Sequence, residues 1–296
     1  MAEVVSPTVA RRRVRLALRE AREAHGLTQQ QVAEEMEWSL SKVIRIENGD
    51  VTIAPNDLRP LLSMYGIKDR ERVSDLLTAA KIARTRQRQA WYQAPEFREW
   101  LSDATLRHIE YEAEAVALRS YSIYYIPGFL QTPQYAAALT GKFRGDIGEE
   151  RIRTLLKARQ LRHETLFARL SQVEIVLLLE ESVFMRPIGG AEVFAEQLRQ
   201  LKAVAEQGHV LLRMLPFDLD YSIPTTNSYD LLLLSGSAAD SEIMYRENGF
   251  TDEVLEDRTI TQRYRDRFEE LWSQSTSESD TIGFVDERIK ELETQS

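Results

Sequence analysis

The stretch Leu27-Thr28-Gln29-Gln30-Gln31-Val32-Ala33-Glu34-Glu35-Met36-Glu37-Trp38-Ser39-Leu40-Ser41-Lys42-Val43-Ile44-Arg45-Ile46-Glu47-Asn48-Gly49 decides how this chain folds. Thr28 can accept the amide of Gln31 while the Gln31 side chain reaches back to the Thr28 amide, so a capping box starts a helix that runs to about Glu35. Val32, Ala33 and Met36 form its apolar side. Ser39 is the next capping residue, which leaves only Met36-Glu37-Trp38 as a break. The following helix, Leu40 to Asn48, stops at Gly49, a residue that enters the left-handed conformation cheaply. Its faces differ in chemistry: Val43 and Ile46 point inward, whereas Leu40, Ser41, Ile44, Arg45 and Asn48 lie outward. Two short helices joined by a tight turn, the second presenting small polar groups and an arginine, fit a major groove.

Outward from this stretch the pattern stays helical. Residues Ala10–Ala24 place Val14, Ala17, Leu18 and Ala21 on one face, and His25-Gly26 ends the run. Asn56–Tyr65 and Asp69–Ala80 supply two more helices that close a core through Leu58, Leu61, Leu62, Val73, Leu76 and Leu77. Pro60 leaves the start of the fourth helix open, because a proline deep in a helix removes a backbone bond.

Both helices, both caps and the terminal Ile46-Glu47-Asn48-Gly49 together resemble the Cro/repressor (XRE) family of helix-turn-helix domains. The resemblance implies a five-helix repressor-type DNA-binding domain over residues 8–80. Carried over position by position, it implies that Thr28, Gln29, Ser39 and Asn48 meet phosphates. Leu40, Ser41, Lys42 and Arg45 would contact bases or adjacent backbone, and Glu47 would pair with Arg22 as a structural link. Two positions depart from the family: Glu37 stands where glycine is frequent in the turn, and Ile44 replaces an outward polar residue. For Ile44 a thymine methyl and an apolar protein partner are both open.

Composition bounds the rest. With 296 residues and 43% apolar content the chain is expected to form two domains. It lacks a leader pattern and any apolar run near the ~18 residues of a membrane span, so a soluble, cytoplasmic protein is expected. The absence of cysteine excludes disulfides, thiolate metal sites and cysteine nucleophiles. His25, His108, His163 and His209 read as single histidines without a partner at metal-ligand spacing, so neither metal nor cofactor is expected. No phosphate-loop, dinucleotide, nucleophile-elbow or zinc-protease string occurs, and no enzyme is expected. Net charge is −9 but unevenly placed: residues 1–98 hold 17 Lys/Arg and 13 Asp/Glu (+4), and residues 99–296 hold 21 and 34 (−13). A basic head on an acidic body suits a DNA-reading domain carried by one that repels DNA.

Residues 81–97 read as a basic linker, with Lys81, Arg84, Arg86 and Arg88 open to contact with phosphates or to solvation on an extended fifth helix. Residues 98–275 mix helical patterns (Asp103–Leu118, Pro133–Leu139, Glu149–Leu170, Ala191–Ala205, Asp252–Trp272) with strand patterns (Val173–Leu179, Val210–Leu215, Ser228–Leu234, Glu242–Tyr245). An α+β domain with a small mixed sheet is expected, followed over residues 276–296 by a C-terminal helix at Val285–Glu293 that caps the domain or meets a partner. Ile126-Pro127-Gly128-Phe129-Leu130-Gln131-Thr132-Pro133-Gln134-Tyr135-Ala136, with Glu110–Glu114, Arg159, Arg162, Glu180-Glu181, Arg186-Pro187, Gly189-Gly190 and Leu215-Pro216, resembles the large C-terminal domain of actinobacterial XRE regulators. Those regulators are associated with control of development and secondary metabolism, often beside a small protein encoded nearby in an antitoxin-like arrangement. The resemblance implies a module that senses a partner protein or ligand. Tyr124, Glu180, Arg186 and Tyr245 are its candidate pocket residues, with Tyr121 and Tyr125 as further candidates for the lining. The expected whole is a homodimer on an inverted-repeat, double-stranded DNA operator, away from membranes. The alternatives are an antitoxin-like interaction protein and an enzyme built on Glu180 and Glu181.

Overall fold

Ser6 accepts the amide of Val9 at 3.3 Å and Pro7 supplies the first helical residue, so α1 (Pro7–Ala24) begins ahead of the apolar pattern that predicted Ala10. In the computed structural model, which describes residues 6–85, 90–142, 148–219, 227–234, 242–247 and 251–294, α1 opens the first of two units, Met1–Arg88 and Gln89–Ser296. The capping box closes at Thr28 to start α2 (Gln29–Glu35), Ser39 caps α3 (Leu40–Asn48), and Gly49 ends it at φ 83°. The turn between them holds Glu37 at φ 54°, the left-handed region that glycine enters without steric strain.

α4 (Pro55–Met64) starts at the earlier proline and runs through Pro60 unbroken, and Asp69 caps α5 (Arg70–Ala83). Leu18, Val32, Val43, Ile46, Leu58, Leu62, Tyr65 and Leu77 share the resulting core. The first unit is therefore all-helical, as its periodicity predicts.

Residues 81–97, expected as a linker, include helical segments among the described residues. Lys81 to Ala83 complete α5, Trp91–Gln93 form a short 3-10 turn, and α6 (Pro95–Trp100) follows; Arg86 and Arg88 lie outside the described residues. The reason is apolar: Tyr92 and Phe97 join Leu101, Ile109 and Ala158 in a core of the second unit.

The second unit is built on one mixed six-stranded sheet of order β3-β2-β1-β4-β5-β6. Its strands are β1 (Ala115–Ser122), β2 (Glu174–Glu180), β3 (Leu211–Leu215), β4 (Tyr229–Leu234), β5 (Glu242–Glu247) and β6 (Asp252–Leu255). β1, β2 and β3 run parallel, while β1/β4, β4/β5 and β5/β6 are antiparallel. Two segments correct the expectation. The helix expected over Asp103–Leu118 stops as α7 (Asp103–Glu112), and its last residues enter β1, where pairing with β2 and β4 overrides the helical preference of an Ala/Leu-rich run. The helix expected from Asp252 is first a strand, with Glu253 bonded to Arg246 across the pair at 2.8 Å, and α12 (Arg258–Gln274) starts only where Asp257 caps it.

α8 (Pro133–Gly141), α9 (Glu149–Phe167), the short α10 (Glu181–Met185) and α11 (Ala191–Glu206) lie between strands. On one sheet face Tyr121, Val176, Leu178, Tyr229, Leu231 and Met244 pack with Phe268 and Leu271 of α12. The C-terminal helix α13 (Glu278–Thr294) starts earlier than its apolar pattern and buries Val285, Ile289 and Leu292, with Phe284 edge-on to Phe184 at 6.0 Å.

Candidate functional site

In the first unit, the turn and caps fix which side of α3 meets solvent. Val43, Ile46 and Glu47 are buried, whereas Leu40, Ser41, Arg45 and Asn48 are exposed, Leu40 at 39%. The Arg45 guanidinium makes no ion pair among the described residues. Lys42 is held differently: its ammonium lies 3.0 Å from Asp57 and 3.7 Å from the centre of the Trp38 ring. Asp57 was not singled out by sequence reasoning, because only the fold brings α4 beside α3.

Behind this face stands a buried ion pair. Glu47 accepts Arg22 Nε at 2.7 Å and Nη2 at 3.0 Å, and Arg22 Nη1 donates to the Leu27 carbonyl at 2.8 Å. The hydrogen bond to Glu47 raises the Arg22 pKa further, against the opposing effect of burial. Gln29 Nε2 also donates to Glu47, at 2.8 Å. Of the side chains expected at phosphates, Thr28 and Ser39 therefore serve as helix caps and Gln29 as a strut on Glu47.

In the second unit the C-terminal ends of β1 and β5 and the start of β4 line an open cleft. Tyr245 lines it, as do Tyr121 and Tyr125. Tyr124, Glu180 and Arg186 do not: Tyr124 is 48% exposed with the Arg186 guanidinium 5.9 Å from its ring, and Glu180 accepts the Tyr121 hydroxyl at 2.6 Å. Glu181 accepts the Phe217 amide at 2.8 Å.

Beside the cleft lies a buried polar cluster. His108 and Glu112 stand four residues apart on α7, a spacing that corrects the reading of His108 as a single histidine, and their side chains approach to 3.5 Å. Arg162 of α9 grips Glu112 through two bonds of 3.0 and 2.7 Å and reaches His108 Nε2 at 3.1 Å. Burial alone would raise the Glu112 pKa; the Arg162 charge and hydrogen bonds outweigh it and hold the carboxyl down at about 2. His108 stacks on Tyr245 with centroids 3.9 Å apart, and lies 3.6 Å from Asp230, which takes the Ser120 hydroxyl at 2.6 Å. Burial pushes the Asp230 pKa up. The i,i+4 pair on α7 and the i,i+3 pair Arg159/Arg162 on α9 were visible in sequence; that they face one another was not. No group of residues suited to a metal ion occurs among the described residues. None of the described helices is long and apolar enough to cross a membrane.

Two family models match the chain. Residues 13–76 match one described as a helix-turn-helix domain, and residues 105–287 match one described as a domain of unknown function, DUF5753. No curated protein and no solved structure matches it.

Proposed function

The chain belongs to the DUF5753 family and carries a helix-turn-helix domain ahead of that region, and from this premise we propose that it is a sequence-specific DNA-binding transcription regulator. The observation that carries the reading is the split of α3 into a buried side, Val43, Ile46 and Glu47, and an exposed side, Leu40, Ser41, Arg45 and Asn48. Arg45 is the free guanidinium of that face and is suited to a guanine edge, where a good bidentate contact discriminates by ~1–3 kcal/mol. Ser41 reads beside it, and Lys42, restrained by Asp57 and Trp38, serves the adjacent backbone. An amide nitrogen carries two hydrogens, so Gln29 can give one to Glu47 and the other to a phosphate, which ties the docking of α2 to the buried ion pair.

A single domain of this size binds weakly, so the operator is an inverted repeat read by a homodimer with its two α3 helices roughly 34 Å apart. The second unit modulates binding as a sensor rather than as a catalyst. Both members of the Glu180-Glu181 pair are occupied by Tyr121 and by the Phe217 amide, an arrangement that favours structural roles for them. The acidic balance of residues 99–296, 21 Lys/Arg against 34 Asp/Glu, favours one second reading: an antitoxin-like protein that binds a small basic partner protein and regulates its own synthesis.

Selection of genomic fragments by the full-length protein tests the proposal. The wild type enriches a palindromic site; Arg45→Ala retains affinity for DNA at low salt but relaxes preference at one symmetric pair of positions. Absence of any enriched site, or an Arg45→Ala variant with unchanged preference, would sink the assignment of α3 as the reading helix.

A further inference from the structure

Three of the five charged residues that line the cleft of the second unit face an acidic or basic side chain at close range. Arg162 is neutralised by Glu112 at 2.7 Å and Arg246 by Glu253 at 2.6 Å, while Asp230 faces His108 and Ser120. Two charged groups in the lining are left over. Glu247 accepts the hydroxyls of Tyr125 at 3.0 Å and Tyr245 at 3.4 Å. Arg159, on the same face of α9 as Arg162, donates to the Thr140 hydroxyl, and among the described residues no carboxylate comes within ion-pair distance of it.

An arginine does not shed its proton in a half-buried place, so it keeps a charge there that suits an anion. Burial holds the Arg159 pKa below the ordinary arginine value, with the Glu247 charge acting in the opposite sense. The cleft also sits where the strand order turns: β2 and β3 extend to one side of β1, and β4, β5 and β6 to the other. The ends of strands at such a reversal are where open sheets accept ligands.

We propose that this cleft binds a small organic acid, its carboxylate or phosphate oxygens docked on the Arg159 guanidinium and its hydroxyl or ammonium groups on Glu247 and the Tyr125 and Tyr245 hydroxyls. The planar guanidinium fork matches either oxyanion in a bidentate manner. Ser122 and Ser228 add hydroxyls to the same wall. The site deepens the reading of the second unit as a sensor and rests on it for regulatory meaning. Its test contains no DNA, so its failure leaves the DNA-reading assignment standing, and the converse holds too.

Thermal unfolding of the full-length protein is followed with inorganic phosphate, succinate or chloride at matched ionic strength, for the wild type, Arg159→Gln and the exposed control Arg153→Gln. The wild type and Arg153→Gln are expected to gain at least about 2–4 °C in Tm over chloride with one or both oxyanions. Arg159→Gln is expected to unfold at or above the wild-type temperature without ligand, because a desolvated cation is gone, and to lose the oxyanion gain. Phosphate alone marks a phosphorylated ligand, succinate alone a carboxylate, and both a general oxyanion site. The proposal is overturned if neither anion exceeds chloride, if Arg159→Gln responds like the wild type, or if Arg159→Gln lowers the unliganded Tm as the loss of a structural link would.

Discussion

Glu37 adopts φ 54° in the turn before α3, a conformation that suits glycine better than a residue with a Cβ. Glu37→Gly is expected to stabilise the first unit by roughly 0.5–1 kcal/mol in urea unfolding, with the relief of the turn outweighing the greater freedom of glycine in the unfolded chain. A lower midpoint would mean that the carboxylate makes contacts that matter more than the backbone. Glu47 presents the opposite case, a residue whose loss leaves charge behind. With Glu47→Ala, Arg22 and Gln29 lose their common acceptor at a site only 4% exposed, and about 3–5 kcal/mol of stability should go with it. Replacing the pair together, Arg22→Met with Glu47→Leu, should recover much of that stability while leaving Gln29 without its strut and DNA binding impaired. A double variant as unstable as the single one would locate the energy in packing around Glu47 instead.

The helix-turn-helix elements owe their boundaries to local chemistry, which is why they are legible in sequence. Thr28, Gln31, Ser39 and Gly49 act within four residues of themselves, and each does so in the structure as its side chain or backbone predicts. Ser39→Ala should accordingly remove about 1 kcal/mol by leaving the Lys42 amide without its acceptor, and urea unfolding reads this directly. An unchanged midpoint would show that solvent satisfies that amide equally well. The strands β1 and β6 were missed for the complementary reason. Ala115–Leu118 and Asp252–Leu255 have no strand signature of their own, and they are extended because β4, over a hundred residues beyond β1, and β5, the strand just before β6, offer them backbone partners. The cleft shares this origin: Arg159, Asp230 and Tyr245 come from a helix and two strands that only the sheet order brings together. Asp57 beside Lys42 escaped for the same reason, as a contact between helices rather than within one.

Among the described residues α1 to α5 share one core, while the second unit packs one on the sheet and another around Phe97, in units that divide at Arg88. Their unfolding should separate under acid. Glu112 is held at about 2 in the folded state against an ordinary value of 4.5, so the stability it contributes is complete above about pH 4.5 and is lost as the pH falls toward 2. Asp230, whose pKa is pushed up, works the other way, since its protonation on acidification relieves a buried charge. Calorimetry between pH 6 and 3 (about the range in which Glu112 begins to matter) should therefore show the second unit's transition falling more steeply in the wild type than in Glu112→Gln. Parallel curves for the two proteins would assign the acid sensitivity elsewhere. The strand order also sets a schedule for synthesis. The helical unit closes on contacts between neighbours in the chain and can fold as soon as α5 is made, whereas β1 sits in the sheet centre and waits for β4, over a hundred residues later. A chain interrupted after Met185 would hold a complete helix-turn-helix unit on an unfinished sheet, with Asp230 and Tyr245 not yet beside His108, so translational pausing or truncation in that interval would release the first unit beside a second one that lacks its cleft.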